Sequence, residues 1–293
     1  MTLATNNRKS LIYIAPTRAT FVMQDIEALE KEFDLTSYFF SGKKKIWVPW
    51  EFLKLFLFLL LRKKQAYLIS FGGYHSFIAS LVAKIKGCKS YIILNGTDAV
   101  SIEEFDYGHL RKGLLRYCCK KSYQFADLLL PVSQSLLDTT NTYAFEGKKL
   151  GLSTVFPDHH WPYKIIPNGF DCSFWKPDIV ARINKSVVTV ASLNRINHKG
   201  VDLLLQLAER NADYTFSIVG IDHIKGVPQN VVFHGYLQPD ELRKIYSSSQ
   251  YYFQLSIWEG FGCALCEAML CGCIPIVSDV NILSEIVDHK DLV

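Results

Sequence analysis

The sequence predicts an α/β fold made of two doubly wound units, each a parallel sheet covered by helices, that face one another across a cleft. Short apolar runs alternate with longer segments of helical period along the chain of 293 residues, as in parallel sheets with helices on both faces. A turn signal, Pro167 followed by Asn168 and Gly169, separates two series of such runs. We therefore expect one domain over residues 1–170 and a second over residues 171–293.

The apolar runs are the expected strands. In the first domain they are Leu11–Ala15, Ala66–Ser70, Tyr91–Leu94 and Leu128–Val132. In the second domain they are Val187–Ser192, Tyr214–Val219, Val231–His234, Tyr251–Leu255 and Ile274–Val277. Ligands of doubly wound sheets bind outside the carboxyl ends of the strands, so the loops after these runs are the first places to search for a site.

Composition and charge exclude several classes of protein. With 49% hydrophobic and 20% charged residues, the chain is neither disordered nor fibrous. Its longest apolar run, Leu55–Leu61, is far shorter than the roughly 20 residues that cross a bilayer, and the amino terminus does not resemble a signal peptide. Residues 1–170 hold 22 basic and 14 acidic side chains, and residues 171–293 hold 10 and 14. We expect a cytoplasmic protein that does not bind nucleic acid, because the acidic second half does not suit a polyanion.

Residues 43–64 combine basic ends, two tryptophans and an apolar centre. On one interpretation they form a helix that packs on the first sheet and leaves its charges in solvent. On the other they form an interfacial helix whose aromatic and leucine face enters lipid headgroups, while Lys43–Lys45 and Arg62–Lys64 attract anionic lipid. The two interpretations are compatible, and the second would place the protein at the inner face of the plasma membrane.

The segment Ser256–Ser278 holds the densest chemical signal. It predicts a strand end, a glycine turn at Gly260 and Gly262, and then a helix whose free amide groups suit an anion. Glu267 falls in the first turns of that helix, where a carboxylate can accept hydrogen bonds from vicinal hydroxyls such as those of a ribose. Glu259 lies in the loop before the glycines, so the two carboxylates flank one ligand. Without the glycines, each glutamate would be interpreted as an ordinary structural or solvated acid.

A second group of charges follows the expected strand Val187–Ser192. Arg195 and Lys199 are four residues apart in the turn, so both cations can reach one ligand. A diphosphate gains negative charge as it departs, and a guanidinium with an ammonium can stabilise that charge without Mg²⁺. We therefore expect a metal-independent reaction. The alternative is that both are solvated loop charges.

Cofactor and metal signals are weak. The loop after the first strand, Pro16–Phe21, contains no glycine, so the turn typical of a dinucleotide site is missing and no nicotinamide or flavin cofactor is expected. Among the eight cysteines, Cys263, Cys266, Cys271 and Cys273 form a group that could suggest zinc. Four thiolates within one helix and its exit do not easily surround one ion. We expect reduced cysteines that pack in the interior and no metal site.

These motifs closely resemble those of the large retaining GT-B glycosyltransferase family, the family 4-like glycosyl transferases of group 1, whose hallmark is two glutamates separated by seven residues. The motifs are Arg195…Lys199-Gly200, Glu259-Gly-Phe-Gly262…Glu267, Cys271-Gly272…Pro275, Ile166–Asp171, Asn95–Asp98 and Ala126–Ser133. The resemblance extends from about residue 10 to the end, and it implies two Rossmann-like domains that face a cleft.

The resemblance also implies a role for each site residue. The catalytic residues would be Arg195 and Lys199, on the diphosphate, and Glu259, on the donor sugar. Further donor contacts would come from Gly260, Phe261, Gly262, Leu265, Glu267, Tyr236 and Leu237. Within this set, Glu267 would hold the ribose and Tyr236 would border the base. The family transfers a sugar from a nucleotide donor to an acceptor hydroxyl with retained configuration, usually without a metal.

The sequence departs from the family pattern in three places. The glycine-rich loop after the first strand is replaced, and Arg18 is the candidate for the lost contacts. Asn95 stands where many members have histidine, so no imidazole is expected there, and Asn95 and Asp98 are the other acceptor-side candidates. Members usually continue past Ser284–Ile286 to a helix that returns to the first domain, so the end at Val293 implies a short form or a truncated second domain.

The sequence therefore predicts a hexosyltransferase that uses a UDP- or GDP-sugar. Its acceptor would be a glycan or a lipid-linked sugar in the synthesis of a cell-surface polysaccharide or glycolipid. Two other classes stay open, namely a GT-B nucleotide-sugar epimerase or phosphorylase, and a non-catalytic nucleotide-sugar binder.

Overall fold

The structure is a computed structural model that describes residues 8–40, 48–280 and 282–293. The chain divides into two compact units. Unit 1 comprises the residues up to Thr139 together with Leu150–Asn168, and unit 2 comprises Thr140–Lys149 together with Gly169–Val293. One division thus lies at the Asn168-Gly169 turn, and a short excursion from the first half of the chain is part of unit 2.

Unit 1 contains a five-stranded sheet. Its strands are β1 (Ser10–Ala15), β2 (Asp34–Phe39), β3 (Ala66–Ser70), β4 (Ser90–Leu94) and β5 (Leu128–Pro131). All pairs are parallel, in the order β2-β1-β3-β4-β5. The helices are α1 (Thr20–Glu32), α2 (Val48–Leu61), α3 (Tyr74–Lys86), α4 (Gly113–Phe125) and α5 (Leu152–Val155). The order changes direction between β1 and β3, so the loops after these two strands are the expected ligand end of this sheet.

Strand β2 is missing from the predicted set, and its position explains why. Its sequence, Asp-Leu-Thr-Ser-Tyr-Phe, contains no continuous apolar run, and no residue of it is fully buried. It is an edge strand that pairs only with β1. A strand with one neighbour does not need the all-apolar sequence of a central parallel strand.

The excursion into unit 2 is a small two-stranded sheet. Its strands are β6 (Thr139–Asn141) and β7 (Lys148–Leu150), which pair with each other. They lie where the chain leaves unit 1 and where it returns to it. The excursion is therefore a closed loop with both ends in unit 1.

Unit 2 contains the second five-stranded sheet. Its strands are β8 (Ile183–Val190), β9 (Thr215–Val219), β10 (Val231–Gly235), β11 (Ser249–Gln254) and β12 (Ile274–Val277). They are parallel, in the order β10-β9-β8-β11-β12. The helices are α6 (Val201–Arg210), α7 (Pro239–Ser248), α8 (Cys263–Leu270) and α9 (Ile282–Val287). The direction of this order changes between β8 and β11, whose following loops carry the predicted donor residues.

Apolar side chains cover both faces of the second sheet. On one face, Trp175 packs with Tyr246 of α7, Leu265 of α8 and Leu283 of α9. On the other face, α6 packs against β8 and β9. Every predicted apolar run overlaps a strand of the structure. The predicted α/β fold with parallel, doubly wound sheets is confirmed.

Helix α2 has one packed face and one exposed face. Leu55 and Leu59 are fully buried, whereas Trp50, Leu57 and Leu61 are exposed. The basic residues Lys43–Lys45, which the sequence placed before this helix, lie outside the described residues. In the part of the chain that the structure describes, the helices are too short or too polar to span a bilayer.

Candidate functional site

An ion pair joins the loops that follow β8 and β11. The Lys199 ammonium lies 2.5 Å from Glu259 Oε1, and the Ser256 hydroxyl donates a hydrogen bond of 2.6 Å to the same oxygen. Both charged side chains are shielded, with 18% of Lys199 and 12% of Glu259 exposed. Because β8 and β11 are neighbours in the sheet, their carboxyl ends bring these two loops together.

The surroundings favour a charged Glu259 and a neutral His198. Burial by itself raises the pKa of Glu259, but the charge and hydrogen bond of Lys199 and the hydroxyl of Ser256 outweigh that effect, so the pKa lies below its ordinary value. Burial lowers the pKa of His198 to about 4; Glu259 opposes this shift, and Lys199 and Arg195 add to it. The loop pair therefore holds one carboxylate and one ammonium in a largely buried setting at neutral pH.

Close backbone contacts hold the two loops together. The Ile257 amide donates a hydrogen bond of 3.0 Å to the His198 carbonyl. Gly200 begins α6 with a φ of +64°, and a Cβ atom there would lie 2.1 Å from the Leu255 carbonyl oxygen. Only glycine permits both this φ and this approach. The Lys199-Gly200 sequence therefore fixes the ammonium beside the neighbouring loop.

Arg195 lies four residues before the lysine of this ion pair. It ends a short 3₁₀ turn, Leu193–Arg195, where its side chain is exposed, and its carbonyl accepts a hydrogen bond of 2.9 Å from the Lys199 amide. The sequence predicted that Arg195 and Lys199 reach one ligand. The structure brings their backbones together but directs the Lys199 ammonium to Glu259, so an anionic ligand would compete with this carboxylate for the cation.

Glu267 is a buried carboxyl group in α8. Only 8% of the residue is exposed, and burial raises its pKa to about 8. Among the described residues, none forms an ion pair or a side-chain hydrogen bond with this carboxyl. Since buried polar groups normally have hydrogen-bond partners, the arrangement suits a ligand that brings hydroxyl donors.

The turn before α8 is built from small and aromatic residues. Gly262 begins the helix with a φ of +100°, and a Cβ atom there would lie 2.8 Å from Leu283 Cδ2. The Phe261 ring stacks on Phe170, with centroids 6.2 Å apart and planes at 28°. Gly260 is buried beside this turn. The backbone can therefore pass close to a ligand at the start of α8.

Leu265 is a predicted donor contact whose side chain does not face solvent, so its donor role stays a prediction. Its side chain is fully buried in the apolar cluster beneath α8, because this position of the helix faces the sheet. The two predicted donor contacts after β10 differ in their exposure to solvent. Tyr236 is exposed, whereas Leu237 packs against the core cluster.

Residues 140–149 supply a contact that the sequence does not reveal. The Asn141 side chain, 1% exposed, donates a hydrogen bond of 2.7 Å to the Ile257 carbonyl. Its Oδ1 accepts a hydrogen bond of 3.0 Å from the Ala144 amide. Ile257 lies between Ser256 and Glu259, so Asn141 holds the loop that carries the carboxylate. No local motif marks this asparagine.

In unit 1, Asp98 ties several loops together. The residue is fully buried; its Oδ2 accepts a hydrogen bond of 2.7 Å from Gly72, and its Oδ1 accepts bonds of 3.1 Å from Asn95 and 3.0 Å from Gly96. Burial raises the pKa of Asp98, although these hydrogen bonds and the nearby His109 oppose that rise. Asp98 thus positions the backbone of these loops, and its acceptor-side role stays a prediction.

An imidazole does reach these loops. Asn95 is half-buried, and its amide donates a hydrogen bond of 3.2 Å to the Ser70 hydroxyl. His109, from a later segment, places Nδ1 3.2 Å from the Gly72 carbonyl oxygen. The sequence expectation of no imidazole followed from Asn95 alone and is corrected. Nothing in the local sequence shows that residue 109 folds back beside Gly72.

Arg18 lies in the loop after β1, one of the two strands at which the order of the first sheet changes direction. Its guanidinium stacks on the Phe39 ring, 3.8 Å from the centroid. The contact orients the side chain while leaving it exposed. Its acceptor-side role stays a prediction.

The cysteines form no disulfide bonds. Burial raises the pKa of Cys271 to about 11 and the pKa values of Cys266 and Cys273 to about 12. Among the described residues, no three His, Cys, Asp or Glu side chains are grouped so that they could hold a metal ion. The metal-independent reaction stays a prediction.

Sequence comparisons identify the carboxyl-terminal part of the chain. Residues 176–292 match the family of glycosyl transferases group 1. An uncharacterized glycosyltransferase of Methanocaldococcus jannaschii is 40% identical over 65 residues, which cover 22% of this chain and 17% of that protein. The chain thus matches only a small part of the length of this relative. Both matches support the predicted enzyme class.

Solved structures share the fold over almost the whole chain. Sucrose-phosphate synthase from Thermosynechococcus elongatus has a TM-score of 0.67 at 12% identity, covering 95% of this chain and 83% of that protein. The catalytic domain of starch synthase IV from Arabidopsis thaliana, bound to ADP and acarbose, has a TM-score of 0.62 at 16% identity, with coverages of 95% and 84%. At these identities the likeness shows the fold, which is that of GT-B glycosyltransferases.

Proposed function

We propose that this protein is a retaining glycosyltransferase that moves a hexose from a UDP- or GDP-sugar to a hydroxyl group of a glycan or lipid-linked acceptor. The observation that carries the proposal is the combination of the Lys199–Glu259 pair, the buried Glu267 and the glycine turn that begins α8. All of them belong to the residues that match glycosyl transferases group 1. A structural neighbour with this fold, starch synthase IV, was solved with ADP and acarbose.

The proposed role of Glu267 is to hold the ribose of the donor. Two vicinal ribose hydroxyls would form hydrogen bonds with the two oxygens of its carboxyl group, which lack partners among the described residues. Burial strengthens such hydrogen bonds because water does not compete for the carboxyl group. The exposed Tyr236 ring would border the base.

The proposed role of Lys199 and Arg195 is to bind the diphosphate. On donor binding, the Lys199 ammonium would move from Glu259 Oε1 to a phosphate oxygen. Glu259 would then accept a hydrogen bond from a hydroxyl of the donor sugar in place of the ammonium. Before the donor binds, the ion pair would keep both side chains oriented.

In the transfer step, the bond between the anomeric carbon and the phosphate oxygen breaks, and its electron pair stays on the phosphate. The acceptor oxygen forms the new bond on the same face of the sugar, which retains the configuration. The acceptor proton passes to the departing phosphate oxygen. Lys199 and Arg195 stabilise the charge that develops on the leaving group, and the loops hold the reacting atoms close together.

We also infer that α2 brings unit 1 to an anionic membrane surface, where a lipid-linked acceptor would be found. Its exposed face carries Trp50, Leu53, Leu57, Leu60 and Leu61. The exposed cations Arg62–Lys64 follow directly, and Lys86 donates a hydrogen bond of 2.7 Å to the Leu59 carbonyl at the end of the helix. Apolar side chains beside cations are the composition of an interfacial helix.

The test is a donor screen by thermal shift with UDP-, GDP- and ADP-sugars, followed by measurement of nucleotide release with a membrane lipid extract as acceptor. We expect one nucleotide-sugar to raise the melting temperature and to release its nucleotide when the extract is added, also in EDTA. Glu267→Ala should weaken nucleotide binding more than Glu259→Ala. A donor that binds without any release of nucleotide would indicate a binding protein, and a changed sugar without an acceptor would indicate an epimerase.

A further inference from the structure

A second cavity, separate from the proposed donor site, lies in unit 1 beside the edge strand β5. Its volume is about 240 Å³, and it is lined by aromatic side chains, with Trp161 and Tyr163 on one segment, and by the polar side chains of Gln134 and Asp138. None of the sequence motifs described above includes these residues. The cavity is small for a nucleotide but sufficient for a single sugar ring.

The aromatic wall of this cavity is held in a fixed orientation. The Trp161 ring makes edge contacts with Tyr123 and with Phe156, in each case with centroids 5.5 Å apart, and the His159 ring lies tilted against it with centroids 5.3 Å apart. The backbone around it is tied to β5, because the Leu129 amide donates to the Pro162 carbonyl and the Lys164 amide donates to the Leu129 carbonyl, both at 2.9 Å. A rigid aromatic surface loses little conformational entropy when a ligand stacks on it.

The polar wall of the cavity is carried by a turn whose backbone is held by hydrogen bonds. Gln134 begins a turn in which its carbonyl accepts hydrogen bonds from the amides of Leu137, at 2.9 Å, and Asp138, at 3.3 Å. The Ser153 hydroxyl donates to the Leu137 carbonyl at 2.8 Å. The Gln134 and Asp138 side chains, both exposed, therefore project from a braced turn. An amide and a carboxylate together can both donate to and accept from neighbouring hydroxyl groups.

The charge of the cavity indicates what it does not bind. Its lining contains the Asp138 carboxylate and the imidazoles of His159 and His160 but neither lysine nor arginine, so it offers no lysine or arginine to a phosphate, a nucleotide or an anionic lipid headgroup. A ligand that offers an apolar face to an aromatic ring and several hydroxyl groups to polar side chains is a neutral sugar. Ligand pockets of proteins combine these two kinds of wall.

We propose that this cavity binds a neutral pyranose ring of the glycan acceptor, at a distance from the residue that receives the transferred sugar. The inference rests on the proposed function for the identity of the glycan as acceptor. A second contact on the same glycan raises its effective concentration at the enzyme without adding to the donor site. The cavity would therefore favour acceptors that already carry several sugars.

The test is a titration of the full chain with neutral trisaccharides of glucose, galactose, mannose and N-acetylglucosamine, followed by the tryptophan indole signals in an NMR spectrum. We expect at least one trisaccharide to shift one indole signal, which Trp161→Phe identifies by removing it. Tyr163→Ala and Asp138→Asn should each weaken this binding about tenfold. UDP should leave the signal unchanged.

The matched control is Tyr117→Ala, because Tyr117 and Tyr163 are similarly exposed tyrosines of unit 1, at 53% and 50%, and only Tyr163 lines the cavity. This control should bind the trisaccharide as the unchanged protein does. The inference is overturned if no trisaccharide shifts the signal, or if Tyr163→Ala and Tyr117→Ala bind alike. Trisaccharide binding without any nucleotide-sugar turnover would instead overturn the proposed function and leave the cavity as a sugar site.

Discussion

The Lys199–Glu259 pair is largely buried, with 18% of the lysine side chain and 12% of the glutamate side chain exposed. A buried pair is expensive to form, because both charges lose water, and the loss is offset only by good geometry and further hydrogen bonds. Here the Ser256 hydroxyl supplies one such bond to Glu259. We therefore explain this pair by its role in positioning two charged side chains for a ligand, rather than by its net contribution to stability.

We expect Lys199→Met to destabilise the protein by about 3–5 kcal/mol, since it leaves a buried carboxylate without its cation. The control is Lys185→Met, which removes an exposed pair with Asp213 at 2.5 Å and should cost no more than about 1 kcal/mol. Urea unfolding at pH 7 measures both changes. Equal destabilisation of the two variants would contradict the role assigned to burial.

Glu267 should give the protein an unusual dependence on pH. Burial raises its pKa to about 8 in the folded protein, above the value of about 4.3 for an unfolded chain, so the neutral form is favoured by folding. Its contribution to stability is therefore complete below pH 4 and is lost as the pH rises towards and through about 8.

Glu267→Gln keeps a neutral side chain of the same shape at every pH. We expect this variant to gain stability relative to the unchanged protein as the pH is raised from 6 to 9, because only the latter must bury a charge. Thermal unfolding across this range measures the difference. Glu209→Gln, an exposed substitution in α6, should show no such trend, and parallel curves for all three proteins would contradict the prediction.

At the residue scale, the sequence identified side-chain types better than their partners. Arg195, Lys199, Glu259 and Glu267 follow strands, and strand periodicity is a local property. Lys199 and Glu259 are 60 residues apart, so their contact depends on strand order, which spacing does not reveal. The burial of the Leu265 side chain was not evident for a similar reason, since the face of α8 that meets the sheet is decided by packing.

At the element scale, the loop of residues 140–149 contributes a hydrogen bond that holds part of the candidate site. Asn141 donates a hydrogen bond to the Ile257 carbonyl in the loop between Ser256 and Glu259. The sequence predicted central strands correctly because they are continuously apolar, but β2, β6 and β7 are short or polar. These strands form because they pair with neighbouring strands, and local composition does not specify that pairing.

We expect Asn141→Ala to destabilise the protein by about 1–3 kcal/mol, because a buried carbonyl loses its donor. Sugar transfer should fall further than stability alone explains, since the Glu259 loop is no longer held. The control is Thr142→Ala, an exposed neighbour. Comparison of kcat and KM at a temperature where both variants are folded separates the two effects, and an Asn141→Ala enzyme with unchanged kcat would contradict the positioning role.

At the scale of the whole molecule, charge and apolar surface coincide. Residues 1–170 carry a net charge of +8, from 22 basic and 14 acidic residues, and the exposed apolar face of α2 lies within them. Each basic residue near an anionic surface contributes about 1 kcal/mol of attraction, which salt weakens. The combination favours a membrane contact that needs both kinds of interaction.

We expect the protein to sediment with vesicles that contain anionic lipid and to be released as salt is added. Leu57→Glu, on the exposed face of α2, should abolish sedimentation because it places a carboxylate in the apolar contact. Leu114→Glu, at another exposed leucine of unit 1, should sediment normally. Sedimentation that is insensitive to Leu57→Glu would show that α2 is not the contact.

The bond between Asn141 and Ile257 also has a consequence for how the protein is made. The two residues are 116 positions apart, and translation delivers the amino-terminal one first. All five strands of the first sheet leave the ribosome before Ile257 is synthesised, so that sheet can fold early. Residues 140–149 are then synthesised well before their partner, and they can bind the loop between Ser256 and Glu259 only after that loop has been translated. This contact is therefore expected to form late in folding.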